Sequence, residues 1–199
     1  MEIDLNPDLE SLKIRALECR ECELCKHRTH VVFGEGYSFA DIMFIGEGPG
    51  YYEDIQGRPF VGRAGKLLDK ILYVCGFSRD DSAYIANIVK CRPPENRDPL
   101  PPERESCLPY LFKQIEYINP KIIILLGSVA LKALVDPDAK ITSVRGTWIE
   151  WKGRLLMPVY HPAALLRNQS LKKEAWEDFK KVVRKYRELV NPDHYSAHV

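Results

Sequence analysis

The sequence has almost no net charge and no long hydrophobic run. Its 199 residues carry 29 Lys and Arg against 28 Asp and Glu, which gives a formal charge of +1. This balance excludes a global electrostatic field that would attract nucleic acid or a membrane, so any basic surface must be local. The start, MEIDLNPDLESLK, lacks the apolar core of a leader peptide, and no apolar run approaches the length of a membrane span. We therefore expect a cytoplasmic protein with no membrane partner.

Two common phosphate-binding patterns are also missing. The glycine-rich stretch GEGPG at 46–50 lacks the G-x-G-x-x-G spacing of dinucleotide sites, and the chain has no G-K-[ST] phosphate loop. These absences disfavour nucleotide binding. The sequence also has no internal repeat and no low-complexity linker, and 199 residues suit one core. We expect a single domain over residues 1–199.

Four short apolar runs indicate the strands of a parallel sheet. Each run is nearly continuous, which is typical of strands covered on both faces. The runs are DIMFIG (41–46), AYIANIV (83–89), KIIILLG (121–127) and LLMPVY (155–160). Helical patterns separate them, so we predict an α/β fold, a three-layer α/β/α sandwich with a central four-stranded parallel sheet. The segment TWIEWKGRLL predicts a hairpin that turns at Lys152 and Gly153.

Helical periodicity is clearest in two segments. Apolar residues recur at i, i+3, i+4 and i+7 over 64–75, and Gly76 follows as a plausible stop. A similar stripe over 176–190 predicts a closing helix, and Pro102 is suited to the first turn of another. In such folds, sites form in the loops that follow the carboxyl ends of the strands. That rule selects the loops after the four apolar runs.

Cysteine is abundant for a chain expected in a reducing compartment, where it favours metal binding or catalysis over disulfides. Five of the six cysteines form a candidate ligand set: Cys19, Cys22, Cys25, Cys91 and Cys107. The first three repeat the C-x-x-C clip, and the last two bound a proline-rich loop that a metal would clamp. Four thiolates suit either zinc or an iron–sulfur cluster, and spacing does not choose between them. The alternative is that the cysteines are reduced, buried small hydrophobes, which is our interpretation of Cys75.

Three motifs together resemble the family-4 uracil-DNA glycosylases, an iron–sulfur-containing bacterial and archaeal family. The motifs are GEGPGYYEDIQGRPFVGRAG (46–65), NIVKCRPP (87–94) and HPAALLRN (161–168). With the cysteine spacing, the resemblance extends from Cys19 to about Phe179. The related family-5 enzymes typically have GLAPG at the first motif, so Glu47 favours family 4.

The resemblance implies a [4Fe-4S] cofactor and a DNA substrate. Its cluster ligands would be Cys19, Cys22, Cys91 and Cys107. Cys25 departs from the family pattern, as either a bystander or an alternative ligand. The implied enzyme is a monofunctional glycosylase, which flips uracil out of DNA and hydrolyses its N-glycosidic bond, leaving an abasic site. We expect it to act as a monomer on single- or double-stranded DNA.

The resemblance also assigns roles in the uracil pocket. Phe60 would stack on the base, and Asn87 would pair with the N3–H and O4 of uracil, where cytosine has the reverse polarity. His161 would donate a hydrogen bond to O2 as negative charge develops on the departing base. Glu47, next to Gly48 in the pocket, is the carboxylate nearest to the place of the water-activating aspartate of family 1. Glu53 would either replace it, with Asp54 as a further reserve, or exclude the methyl group of thymine.

Residues after the histidine would contact DNA. Leu165 and Leu166 are each either a wedge that fills the gap left by the flipped base or part of the packing under the final helix. Arg167 and Arg92 would belong to a rim that binds phosphates.

Two other classes of protein compete with the glycosylase. One is a non-catalytic iron–sulfur or zinc module of the same fold that binds nucleic acid, and the other is an electron carrier. The presence of Asn87 and His161 at their motif positions disfavours the first. Phe60 and Asn87 would have no role in the second.

Overall fold

The computed structural model describes residues 6–199, so the acidic start of the chain lies partly outside the described residues. Within residues 6–199, no helix has both the length and the apolar character that a membrane crossing requires.

The centre of the molecule is a six-stranded mixed sheet. Its strands are β1 (Glu35–Gly36), β2 (Ile42–Gly46), β3 (Ala83–Asn87), β4 (Ile122–Leu126), β5 (Ile149–Trp151) and β6 (Arg154–Val159). The spatial order is β1-β3-β2-β4-β6-β5. The four predicted strands form its parallel core, and β5 and β6 form the predicted hairpin. The prediction of four strands is corrected to six, because β1 and β5 add antiparallel pairs at the two edges.

Helices cover both faces of the sheet. Those of the described residues are α1 (Pro7–Leu17), α2 (Tyr51–Gln56), α3 (Arg63–Val74), α4 (Pro101–Ile118), α5 (Ser128–Leu134), α6 (Ile141–Val144), α7 (Pro162–Arg167) and α8 (Lys172–Leu189). The predicted stripes lie on α3 and α8, and Gly76, with φ of 80°, follows the end of α3. The prediction of a three-layer α/β/α sandwich is therefore confirmed.

The alternation of side chains along the strands divides the core in two. On β2, Met43 and Ile45 pack with α1, α4 and α5, whereas Ile42 and Phe44 pack with α3 and α8. All four side chains are fully buried. Both faces of the strand must be apolar under these conditions, which is why the strand sequences read as continuous hydrophobic runs.

The helix α4 is attached to the loop that precedes it. The Glu103 carboxylate accepts a hydrogen bond from the amide of Leu100 at 2.7 Å, as expected for a side chain in the first helical turn. The same carboxylate pairs with Arg97 at 2.7 Å and is only 5% exposed. These contacts hold the proline-rich loop against the start of α4. Cys107 belongs to the second turn of this helix.

Candidate active site

A cavity of about 480 Å³ opens at the carboxyl edge of the parallel strands. It is lined by residues from the loops after β2, β3, β4 and β6. The predicted site residues that it brings together are Glu47, Gly48, Glu53, Phe60, Asn87, His161 and Arg167. This is the place where α/β folds present their sites, because parallel strands end side by side and their loops converge.

The Asn87 amide is buried with an acceptor left free. Asn87 is the last residue of β3 and is 2% exposed, and its Oδ1 has no hydrogen-bond partner among the described residues. A Cβ on Gly46 would stand 2.6 Å from this oxygen and 2.5 Å from Cζ of Phe60, so only glycine leaves room for both side chains. A buried acceptor without a partner is costly, which indicates a position prepared for a ligand donor.

The aromatic ring of Phe60 is held by contacts to its backbone. Phe60 has a φ of 54° and is 6% exposed. One Glu53 carboxylate oxygen accepts hydrogen bonds from the amides of the next two residues, at 2.9 and 2.7 Å. Arg79 donates to the carbonyl of Phe60 at 2.7 Å and to the preceding carbonyl at 2.6 Å. A Cβ on Gly65 would overlap the Phe60 carbonyl, so α3 packs directly on this turn. The left-handed conformation is thus fixed from three sides.

The His161 ring has one nitrogen committed to the backbone. Nδ1 accepts a hydrogen bond from the amide of Ala163 at 3.1 Å, so a neutral ring carries its proton on Nε2. Burial, and to a smaller extent Arg167, lowers the pKa of His161 to about 4. The ring centroid is 5.7 Å from that of Phe60. The loop Gly127 allows this position, since a Cβ there would meet the His161 Cβ at 2.9 Å. The site therefore holds a neutral hydrogen-bond donor beside the aromatic ring.

Glu47 faces a second carboxyl group. Burial, and after it the hydrogen-bonded Asp98 carboxyl, raise the pKa of Glu47 to about 7, while Arg167 opposes the change. Asp98 comes from the proline-rich loop and also lines the cavity. Glu47 is therefore close to half ionised at neutral pH, a range suited to proton exchange with water.

The five candidate cysteines line a second, small cavity: Cys19, Cys22, Cys25, Cys91 and Cys107. Arg28 donates to the sulfur of Cys91 at 3.2 Å, and the amide of Lys90 donates to that of Cys107 at 3.3 Å. Within residues 6–199 these side chains do not make a compact group of three or more ligands. Their shared cavity and the donors to sulfur nevertheless suit a thiolate-bound metal group. Cys75 lies apart, buried in the core beside α3, as predicted.

Of the two alternatives for Leu165, a wedge or packing under the final helix, its position favours packing. Leu165 is 2% exposed and packs with Tyr160 and Ala175, because it lies on the inner side of the short helix α7. Leu166 is partly exposed and Arg167 is exposed. Arg92 lies with its guanidinium carbon 5.1 Å from the ring centre of Tyr51.

Sequence reasoning missed three residues that shape this site. Asp98 is brought to Glu47 only by the course of the proline-rich loop. Arg79 reaches the turn at Phe60 from outside the first motif. Lys90 lies within the motif NIVKCRPP and had no predicted role in the pocket, yet it is 2% exposed and donates to the backbone carbonyl of Asn87 at 2.9 Å. For Lys90, the available signal was its place beside the cysteine of NIVKC. No local sequence pattern marks Asp98 or Arg79.

Comparison with known proteins agrees with the geometry. The model of the uracil DNA glycosylase superfamily matches residues 33–180. A type-4 uracil-DNA glycosylase of Sulfurisphaera tokodaii is 46% identical over 198 residues, which cover 94% of this chain and 88% of that protein. Type-4 uracil-DNA glycosylases of Thermotoga maritima and Saccharolobus solfataricus are each 48% identical, over 87% and 89% of this chain and 92% and 85% of their own lengths. The chain belongs to the uracil DNA glycosylase superfamily, in its type-4 group.

Proposed function

We propose that this protein removes uracil from DNA by hydrolysing the N-glycosidic bond, releasing the free base and leaving an abasic site for repair. The observation that carries the proposal is the buried Asn87 amide, whose Oδ1 has no partner within the described residues and faces a cavity shared with Phe60 and His161. The names of the type-4 relatives support the same activity.

Recognition rests on the two ends of the Asn87 amide. Oδ1 accepts the N3–H of uracil and the amide nitrogen donates to O4, while Phe60 stacks on the ring. Cytosine presents an acceptor and an amino group in those two places and leaves the buried amide unpaired. The penalty is about 1–3 kcal/mol for each buried group without a partner. The base reaches this cavity only after leaving the duplex stack.

Cleavage is assisted by the neutral His161. As the bond to the sugar breaks, negative charge collects on the base, and the Nε2–H of His161 donates to O2. A fixed donor of this kind is worth about 3–4 kcal/mol of barrier in other enzymes. Because its pKa is lowered to about 4, the ring keeps its donor and remains neutral across the physiological range.

The nucleophile is water, and we assign its orientation to Glu47. In its ionised form the carboxylate accepts a proton from water and stabilises the positive sugar. Glu53 already uses one oxygen to hold the turn at Phe60, so we assign it to positioning. The exclusion of thymine by Glu53 remains a prediction, supported by its place in the cavity wall.

The cysteine cavity suits a [4Fe-4S] cluster on Cys19, Cys22, Cys91 and Cys107, with Cys25 as an alternative ligand. Burial raises the pKa of the Cys107 thiol to about 11, so a thiolate there requires a compensating positive charge. Such a cluster would tie the loop 91–107 to the body of the molecule. Visible absorbance distinguishes it from zinc.

The remaining assignments concern the setting in which the enzyme works. We propose a monomeric, single-domain protein of the cytoplasm, where the six free thiols are consistent with a reducing environment. Its substrate is uracil-containing DNA, and Arg92, Leu166 and Arg167 contact the strand beside the cavity.

The test is release of uracil from a labelled oligonucleotide with one deoxyuridine, with a deoxycytidine strand as the specificity control. Wild type is expected to cleave only the uracil strand. Asn87→Ala is expected to lose nearly all of this activity, and Asn119→Ala, which changes an asparagine outside the cavity, is expected to retain it. A folded, metal-loaded wild-type protein that binds DNA and releases no uracil would favour the non-catalytic binding module.

A further inference from the structure

Two tyrosines are exposed at the rim of the candidate active site. Tyr51 and Tyr52 open α2 and are 53% and 60% exposed. Their rings meet edge to face with centroids 5.5 Å apart. Gly50 and Glu53, which flank the pair in sequence, both line the cavity. The two tyrosines therefore lie next to the residues that form the edge of the cavity.

A cation completes this surface. Arg92 lies over the Tyr51 ring at 5.1 Å, and its Nε donates to Asn96 at 2.8 Å. Asn96 in turn lines the cavity. We refer to Tyr51, Tyr52 and Arg92 as the tyrosine shelf. Aromatic rings combined with an arginine are the chemistry that binds exposed nucleobases and the phosphates between them.

The shelf continues into a groove with unpaired positive charge. Tyr52 lines this groove together with Arg63 and Lys66. The carboxylates of Glu35 and Asp69 also line it, but they are paired with Arg58 and Arg79. Asp80 is a further acid in the lining. The groove therefore has more basic than acidic residues: the bases are Arg58, Arg63, Lys66 and Arg79, and the acids are Glu35, Asp69 and Asp80. Since no ion pair is formed by Arg63 or Lys66 with any described residue, the groove favours an anionic chain.

We propose that the tyrosine shelf stacks an unpaired base next to the target uridine, on the strand whose backbone follows the groove of Arg63 and Lys66. The inference rests on the proposed function, since it places the flank of the uracil-bearing strand. Bases in a duplex are already stacked on their neighbours, so the shelf gains most from a single-stranded flank. The shelf thus favours uracil in single-stranded or locally opened DNA.

The probe is a single-stranded oligonucleotide with 2′-fluoro-2′-deoxyuridine at the target position. The fluorine destabilises a positive sugar, so the strand binds without being cleaved. The fluorescent base 2-aminopurine is placed on the 5′ side of the uridine in one strand and on the 3′ side in another. Stacking on a tyrosine changes its fluorescence, and titration gives the dissociation constant.

We expect saturating wild type to quench one of the two probes. Tyr51→Ala is expected to remove the quenching and to weaken binding about 5- to 150-fold, the range found when a stacking aromatic is truncated. Tyr51→Phe, which keeps the ring, is expected to behave as wild type. The matched control is Phe112→Ala, because Phe112 also pairs with a cation, Lys152, at 4.8 Å but lines neither cavity.

Three results would overturn the proposal. They are unchanged binding and fluorescence in Tyr51→Ala, a loss in Tyr51→Phe equal to that in Tyr51→Ala, and an equal loss for a fully paired duplex and a single strand. Thermal unfolding of each variant verifies that the fold is retained. Because the probe is not cleaved, its binding does not depend on the hydrolysis step, whereas uracil release by wild type from an ordinary deoxyuridine strand decides the proposed function separately.

Discussion

The contact between Glu47 and Asp98 predicts that the rate of uracil release depends on pH near neutrality. The pKa of Glu47 is raised from its ordinary 4.5 to about 7, by burial first and by Asp98 second. If its carboxylate orients the water, the active fraction is about 90% at pH 8 and about 10% at pH 6. We therefore expect kcat/KM for uracil release to fall about tenfold between pH 8 and pH 6.

Asp98→Asn separates the two causes of the raised pKa. The substitution removes the neighbouring negative charge but leaves the burial of Glu47, so the pKa of Glu47 falls without returning to its ordinary value. The acid limb of the profile then moves to lower pH, and the loss of activity between pH 8 and pH 6 shrinks. The same change reduces the cost of ionising Glu47 in the folded state. The free energy of unfolding, which a raised carboxyl pKa lowers as pH increases from about 4.5 to 7, should therefore rise most above pH 7.

The assay is steady-state uracil release from pH 5 to pH 9 at constant ionic strength. The ionisation of His161 does not interfere, since its pKa of about 4 lies below the range. Asp81→Asn is the matched control, because Asp81 is exposed just before β3, at the opposite edge of the sheet. A flat wild-type profile between pH 6 and pH 8 would refute the role of the Glu47 carboxylate. Superimposable profiles for wild type and Asp98→Asn would refute the contribution of Asp98.

Two further predictions concern packing and the cysteines. Leu165→Ala is expected to lower the free energy of unfolding by about 2–5 kcal/mol, because it leaves a hole in the packing under α8, whereas Leu166→Ala should mainly weaken DNA binding. Thermal denaturation and oligonucleotide titration measure the two effects, and the reverse order would restore Leu165 as a wedge. Cys91→Ser is expected to abolish the visible absorbance of the purified protein, and Cys25→Ser to retain most of it. Loss in Cys25→Ser with retention in Cys91→Ser would reassign the ligand set.

The sequence was sufficient for the elements that repeat a simple pattern. The four parallel strands and the stripe on α3 could be predicted because burial on two faces or on one face leaves a period that short windows reveal. The edge strand β1 contains two residues and leaves no such period. The inward position of Leu165 was equally hidden, because six residues of α7 are too few to show which side of the helix faces the core.

The cavity residues divide in the same way. Phe60, Asn87 and His161 could be placed together because their motifs lie at or after the carboxyl ends of predicted strands, which meet at a common edge, and because the family resemblance assigns them to one pocket. The left-handed backbone at Phe60 could not be predicted, since an aromatic residue ordinarily avoids it and only the distant Arg79 and the Glu53 carboxylate hold it there. The pairing of Asp98 with Glu47 likewise depends on how a proline-rich loop crosses the cavity.

The buried Lys90 connects the cysteine cavity with the base-reading amide. Its backbone amide donates to the sulfur of Cys107, and its Nζ donates to the carbonyls of Asn87, at 2.9 Å, and of the Gln114 side chain, at 2.5 Å. Both oxygen acceptors are neutral, and burial lowers the pKa of Lys90 to about 8, a change that negative charge on the sulfurs of Cys107 and Cys91 would oppose. A thiolate-bound group in the cysteine cavity would therefore do more than clamp the loop 91–107. It would supply the charge that keeps Lys90 under the backbone of Asn87, and so fix the position from which the amide reads the base.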